Sequence, residues 1–185
     1  MPSLFFDAEQ VSGQNQLKAS VQRGIRSRLQ EDFNILEEIL DQILPKKQNL
    51  TQVKCRGQIN LLTADGSSIL FAQAEDSPFI PTLKEILMLN KDPGMLPKVT
   101  VDRGAIKFVL SGANIMCPGL TSKGGSLPEE NLPEGTVVAV HAEGKEHPLA
   151  IGILKLSTDD IKKVNSGIGI DTFCYLNDPL WNLML

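Results

Sequence analysis

Val101–Ser122, VDRGAIKFVLSGANIMCPGLTS, decides how the chain is read. Val99-Thr100-Val101 leads into it as a β-like run. Asp102 follows, and its carboxylate suits a helix N-cap, where it accepts an early N–H and complements the dipole. A helix is therefore predicted over about Asp102–Leu110, with Gly112 as its left-handed stop. Ile115–Met116 reads as a short strand and Pro118-Gly119 as a turn. Gly112 and Ala113 carry almost no side chain, so their backbone lies open to close approach by a phosphate. Arg103 and Lys107 add positive charge beside it. Taken alone, the glycines are more simply turn and packing residues. At about 100° per residue, Ala105, Ile106, Val109 and Leu110 share one arc of the predicted helix and should face a core. Lys107 and Phe108 point away. A phenylalanine there is either an interface anchor or a residue covered by another part of the chain.

Downstream, short strands are expected at Thr136–His141 and Leu149–Lys155, separated by Gly- and Pro-rich turns. A helical turn or two is expected over Thr158–Asn165, and a closing strand over Phe173–Leu176. Short strands at this spacing predict a small barrel. Upstream, Asn90–Pro97, NKDPGMLP, breaks helix and strand alike and reads as a linker. Before it, Leu17, Val21, Ile25 and Leu29 recur every four residues and predict an amphipathic helix over Leu17–Leu29. A second helix is predicted from about Phe33 to Leu44, ended by Pro45. The period then shortens. Val53, Cys55, Ile59, Leu61 and Leu62 lie in β-like runs, Asp65-Gly66 marks a hairpin, and Ser68–Gln73 returns as a strand. After a turn at Ser77–Pro81, Thr82–Leu89 reads as a short helix. The N-terminal part is thus α+β.

The 185 residues allow one large domain or two small ones. The formal charge of −4 argues against a chain that coats long stretches of nucleic acid, so any RNA contact must be local or shared with a partner. One basic group stands out. Residues 16–56 hold Lys18, Arg23, Arg26, Arg28, Lys46, Lys47, Lys54 and Arg56 against Glu31, Asp32, Glu37, Glu38 and Asp41, a net +3. A solvated face and a ribosomal-RNA contact explain it equally well. Cys55, Cys117 and Cys174 are unclustered, which predicts buried free thiols in a reducing compartment, hence the cytoplasm. The opening MPSLFFDAEQ has no charged region followed by a long apolar one, so no secretory leader is expected. No apolar run is long enough to span a bilayer, and no membrane contact is expected.

Val101–Ser122 resembles the start of a PUA domain, a small pseudobarrel found in proteins that handle structured RNA. The marks are Gly104-Ala105, Ser111-Gly112-Ala113 and Pro118-Gly119. The likeness runs further, through Pro45-Lys46-Lys47, Pro81-Thr82-Leu83, Val164-Asn165, Gly167-Ile168-Gly169-Ile170 and Leu176-Asn177-Asp178-Pro179-Leu180-Trp181. These stretches are similar to the malignant-T-cell-amplified-sequence family, whose fungal members are called translation-machinery-associated proteins. Leu87–Lys98 and Lys123–Pro133 carry no matching pattern. The resemblance implies an α+β fold, with an N-terminal α+β domain over 1–92, a PUA-type β pseudobarrel over 98–178 and a tail over 179–185. It implies RNA binding through Arg103, Lys107, Gly112, Ala113, Pro118, Gly119, Lys46 and Lys47, while the outward position of Phe108 on the predicted helix makes it the expected partner-binding residue. The implied partners are the small ribosomal subunit with its rRNA and a density-regulated-protein homologue, with tRNA as a further candidate. The implied work is tRNA release after termination and reinitiation downstream of short upstream reading frames. A related factor, ligatin, carries both halves in one chain.

The chemistry-bearing residues argue for no reaction. His141–His147 reads as a hairpin loop between two strands, and polar residues are expected there. No nucleophile elbow, P-loop or HExxH motif is present, and Gly167-Ile168-Gly169 lacks the third glycine of a dinucleotide fingerprint. No enzyme activity, cofactor or metal is expected. The rival reading is the RNA-docking subunit of an RNA-modifying enzyme, since PUA domains are also appended to such enzymes.

Overall fold

The computed structural model describes residues 11–183 except 34, 47, 65, 67, 76 and 90–94. The predicted linker core, Asp65 of the hairpin signal and the MPSLFFDAEQ opening therefore lie outside the described residues. Contacts divide the chain into two compact units, with the change between Met95 and Leu96.

Among the described residues, the first unit is a five-stranded antiparallel sheet in sequence order with three helices. Its strands are β1 (Val11–Gln16), β2 (Thr51–Cys55), β3 (Ile59–Thr63), β4 (Ile69–Ala74) and β5 (Ile80–Pro81). Its helices are α1 (Ala19–Phe33), α2 (Glu37–Ile43) and α3 (Leu83–Leu89). Leu29, Leu40, Ile43, Leu44, Leu62 and Phe71 form the centre of one apolar core. Two predicted boundaries shift. α1 continues to Phe33, and α2 starts only at Glu37, behind an exposed Leu36. The turn expected at Ser77–Pro81 ends in β5, because Ile80 and Pro81 pair with Ala72 and Phe71. Thr82 then starts α3. Its Oγ1 accepts the Glu85 N–H at 3.3 Å and donates to the Ile69 carbonyl at 2.8 Å.

Arg26, one of the basic group over residues 16–56, is part-buried. It donates to the carbonyl of Leu44 and pairs with Asp41. It thus ties α1 to the C-terminal end of α2, where unpaired carbonyls favour a cation.

The second unit holds five strands in the order β6-β8-β9-β10-β7. These are β6 (Lys98–Val101), β7 (Ile115–Met116), β8 (Val137–Ala142), β9 (Ala150–Leu154) and β10 (Ile168–Tyr175). The β6–β8 pair is parallel, with Val99 opposite Val140, and the other pairs are antiparallel. Its helices are α4 (Ile106–Val109), α5 (Cys117–Thr121), α6 (Thr158–Val164) and α7 (Pro179–Asn182). Val99, Val101, Val109, Val138, Leu154 and Ile161 belong to its closed core. The sheet curls into a half-barrel, in line with the small barrel that the short, closely spaced strands predict. The helix predicted from Asp102 is shorter than expected. Arg103–Ala105 form a turn, held by the Asp102 carboxylate accepting the Ala105 N–H at 3.0 Å, and helical geometry begins at Ile106. The Pro118-Gly119 turn is instead the start of α5, where proline is tolerated in the first turn.

Candidate RNA and partner interface

α4 and the edge strand β7 frame a groove of about 1100 Å³. Ile106, Phe108, Leu110, Ile115 and Met116 supply its apolar lining, and Arg103 and Lys107 line it as well. Phe108 is 54% exposed, Met116 50% and Leu110 40%. Met116 faces Ile168 across the β7–β10 pair, and Ile168 is exposed too. Among the described residues, these four are more than half of the exposed large hydrophobics. Such a concentration marks an interaction surface rather than the scattered apolar residues of an ordinary exterior.

Sequence reasoning placed Phe108 outward correctly and Leu110 inward wrongly. The helical arc assumed for Leu110 ends one residue earlier, at Val109, where the chain turns. Met116 and Ile168 were missed. Strand alternation carried the signal for Met116, since a buried Ile115 forces its neighbour to the other face.

Charge is layered on this apolar surface. Lys107 Nζ lies 4.8 Å from the centroid of the Phe108 ring, so ammonium and ring form one composite contact. Arg103 Nε is 3.7 Å from Glu143 Oε2, with both side chains substantially exposed. An exposed pair of this kind is worth ~0–1 kcal/mol and gives way readily to a phosphate.

The turn after α4 works differently from the sequence-based picture. Gly112 has φ +80°. Its N–H donates to the Val109 carbonyl at 2.9 Å, and the Ala113 N–H donates to the Phe108 carbonyl at 3.0 Å. This pair of bonds is a Schellman motif with Gly112 at the left-handed position. Both N–H groups thought open to a phosphate are therefore taken up in closing the helix. The Ala113 carbonyl accepts Thr172 Oγ1 at 2.8 Å and fixes the turn to β10. Gly112 also touches Tyr175, since a Cβ there would stand 2.9 Å from the ring. Pro118 is exposed in α5, and Gly119 lines the groove while its carbonyl accepts the Asp102 N–H at 2.9 Å.

Lys46, in the first unit, is committed as well. Its Nζ lies 2.6 Å from Glu37 and 3.6 Å from Asp41. The hydrogen bond to Glu37, then the charge of Asp41, hold its ammonium above the ordinary value. Lys47 lies outside the described residues.

The histidines are not a loop pair. His141 sits in β8, half-buried, with its Nδ1 lacking a hydrogen-bond partner among the described residues. Burial, then the nearby charges of Lys98 and His147, push its pKa down. His147 is exposed in the following loop. The three cysteines are free and buried. Burial pushes the Cys55 thiol up to about 11 and raises Cys117. Among the described residues, no three His, Cys, Asp or Glu side chains converge as a metal site, and no helix is long and apolar enough to cross a membrane.

Fold and groove together define a class, a two-domain PUA protein. A pre-PUA-like domain matches residues 5–89 and a PUA domain matches residues 97–173. A hypothetical protein of Pyrococcus horikoshii shares the fold at a TM-score of 0.68 and 26% identity, covering 91% of this chain and 98% of its own. Malignant T-cell-amplified sequence 1-B of Xenopus laevis is 51% identical over 97% of this chain and 96% of its own. Translation machinery-associated protein 20 of Schizosaccharomyces pombe is 46% identical over 98% and 97%. The chain belongs to the malignant T-cell-amplified sequence family of translation-associated PUA proteins.

Proposed function

We propose that the chain is a non-enzymatic RNA-binding adaptor of the cytoplasmic small ribosomal subunit. It acts in tRNA release and recycling after termination and in reinitiation, as a heterodimer with a density-regulated-protein homologue. The observation that carries this reading is the α4–β7 groove. Its apolar floor, Phe108, Leu110 and Met116, suits a protein partner, while Arg103 and Lys107 suit RNA phosphates. The RNA and partner residues lie on one surface, so the two contacts are adjacent and the adaptor joins them directly. The absence of chemistry in this reading is supported by thiols that are buried and by Glu143 pairing with Arg103.

Phe108→Asp tests the partner half. The ring is more than half exposed, so its loss should cost folding little. Removing an interface aromatic should cost binding ~2 kcal/mol or more. Thermal stability and pull-down of the density-regulated-protein homologue are measured side by side. Unchanged stability with lost pull-down supports the anchor, and retained pull-down removes it.

A further inference from the structure

The first unit contains a second concavity, of about 470 Å³, between α1 and the Leu44–Leu50 segment. Its size falls in the range in which proteins hold small ligands. Ala19, Leu44, Pro45 and Leu50 give it an apolar floor, and Arg23, Arg26 and Lys46 give it a cationic wall. The three cations are not equivalent. Arg26 is fixed by the Leu44 carbonyl and Asp41, and Lys46 by Glu37 and Asp41. Arg23 is exposed and has no hydrogen bond or ion pair among the described residues. Three cations against two carboxylates leave the pocket with one uncompensated positive charge, and Arg23 carries it. The exposed Pro45 ring, beside the edge of the fixed Arg26 guanidinium, offers a flat surface against which an unpaired base can pack. A free arginine at the same pocket offers a bidentate donor fork for a phosphate.

We infer that this pocket holds one unstacked nucleotide of an RNA strand, with the base against Pro45 and the Arg26 guanidinium and a phosphate on Arg23. The inference deepens the RNA-binding half of the proposed function and rests on it. It replaces Lys46 as a direct phosphate contact by Arg23, because two carboxylates already hold the lysine. Free nucleoside monophosphates share the chemistry, so the test must separate them from RNA.

The test is titration of the full chain, isotope-labelled for NMR, with inorganic phosphate, AMP, CMP and a single-stranded hexaribonucleotide. Saturable shifts at Gln22, Arg23, Arg26 and Leu50 are expected with the hexanucleotide, and weaker ones at the same residues with the monophosphates. Arg23→Glu should weaken hexanucleotide binding about tenfold, as loss of a close phosphate contact does, and Arg23→Lys should recover part of it. Three outcomes overturn the assignment: no shifts at these residues with the hexanucleotide, equal shifts with phosphate alone, or monophosphates binding as tightly as the hexanucleotide. Arg103→Glu/Lys107→Glu, assayed for small-subunit binding, keeps the two readings separate. If that variant fails to bind while the pocket stays silent, only the pocket assignment falls.

Discussion

Gly112→Ala should destabilise the second unit through two separable effects. At φ +80° an alanine pays for its Cβ in the left-handed region, ~1–2 kcal/mol. Its methyl would also stand 2.9 Å from Tyr175 Cε1 and 3.2 Å from the hydroxyl oxygen. Tyr175 packs against the core, so the ring cannot move without cost, and such overpacking adds ~1–3 kcal/mol. The sum is about 2–5 kcal/mol. Gly135→Ala is the control, because Gly135 has φ +85° and open space where its Cβ would stand. It should show the conformational effect alone. Trp181 is the sole tryptophan and lies in α7 of the same unit, so its fluorescence reports the relevant unfolding. With a urea slope of about 2 kcal/mol per molar, the Gly112→Ala midpoint should fall by about 1–2.5 M and lie clearly below that of Gly135→Ala. Coincident midpoints would refute the contact with Tyr175 as the reason for glycine at 112.

Asp178 is buried and accepts the N–H groups of Tyr175 at 2.9 Å and Trp181 at 2.6 Å, so Asp178→Ala leaves two donors unsatisfied. It should cost ~1–3 kcal/mol by urea unfolding, and a loss below about 0.5 kcal/mol, the low end for a single hydrogen bond, would contradict the capping role. His141 has a pKa lowered from 6.5 mainly by burial. A depressed folded value means its stabilising effect is present above about pH 6.5 and is lost as pH falls through the folded pKa. Thermal stability should therefore decline on acidification below that point, and His141→Gln should flatten the decline; an unchanged slope would contradict it. His141→Ala/His147→Ala should retain partner and small-subunit binding, and loss of reinitiation in a folded, partner-bound variant would overturn the non-enzymatic reading.

Much of the fold was legible because apolar spacing and turn residues agree with the tertiary structure. Leu29, Leu40 and Ile43 mark the buried faces of α1 and α2, and Gly112 marks the end of α4. What was not legible depends on pairing at a distance. β1, VSGQNQ, has almost no apolar pattern and is a strand because it pairs with β2 from Val11 opposite Cys55 to Gln16 opposite Thr51. β10 begins at Ile168, five residues before the expected strand, since it pairs with β9 on one side and β7 on the other. At the groove, charge and the single outward aromatic were readable from the sequence. The commitment of the Gly112 and Ala113 N–H groups was not, because a glycine that closes a helix and one that receives a phosphate look alike in one dimension. Nor was the burial of Arg26, which depends on where α2 ends.

The central claim is tested most directly by sedimentation of the full chain with purified small ribosomal subunits across a series of salt concentrations. Wild type should co-migrate with the subunit, and its affinity should fall with salt as phosphate counterions are released. Arg103→Glu/Lys107→Glu should bind more weakly and with a shallower salt dependence. Wild-type protein that stays at the top of the gradient, or a double variant that binds as tightly as wild type at every salt concentration, would contradict the account.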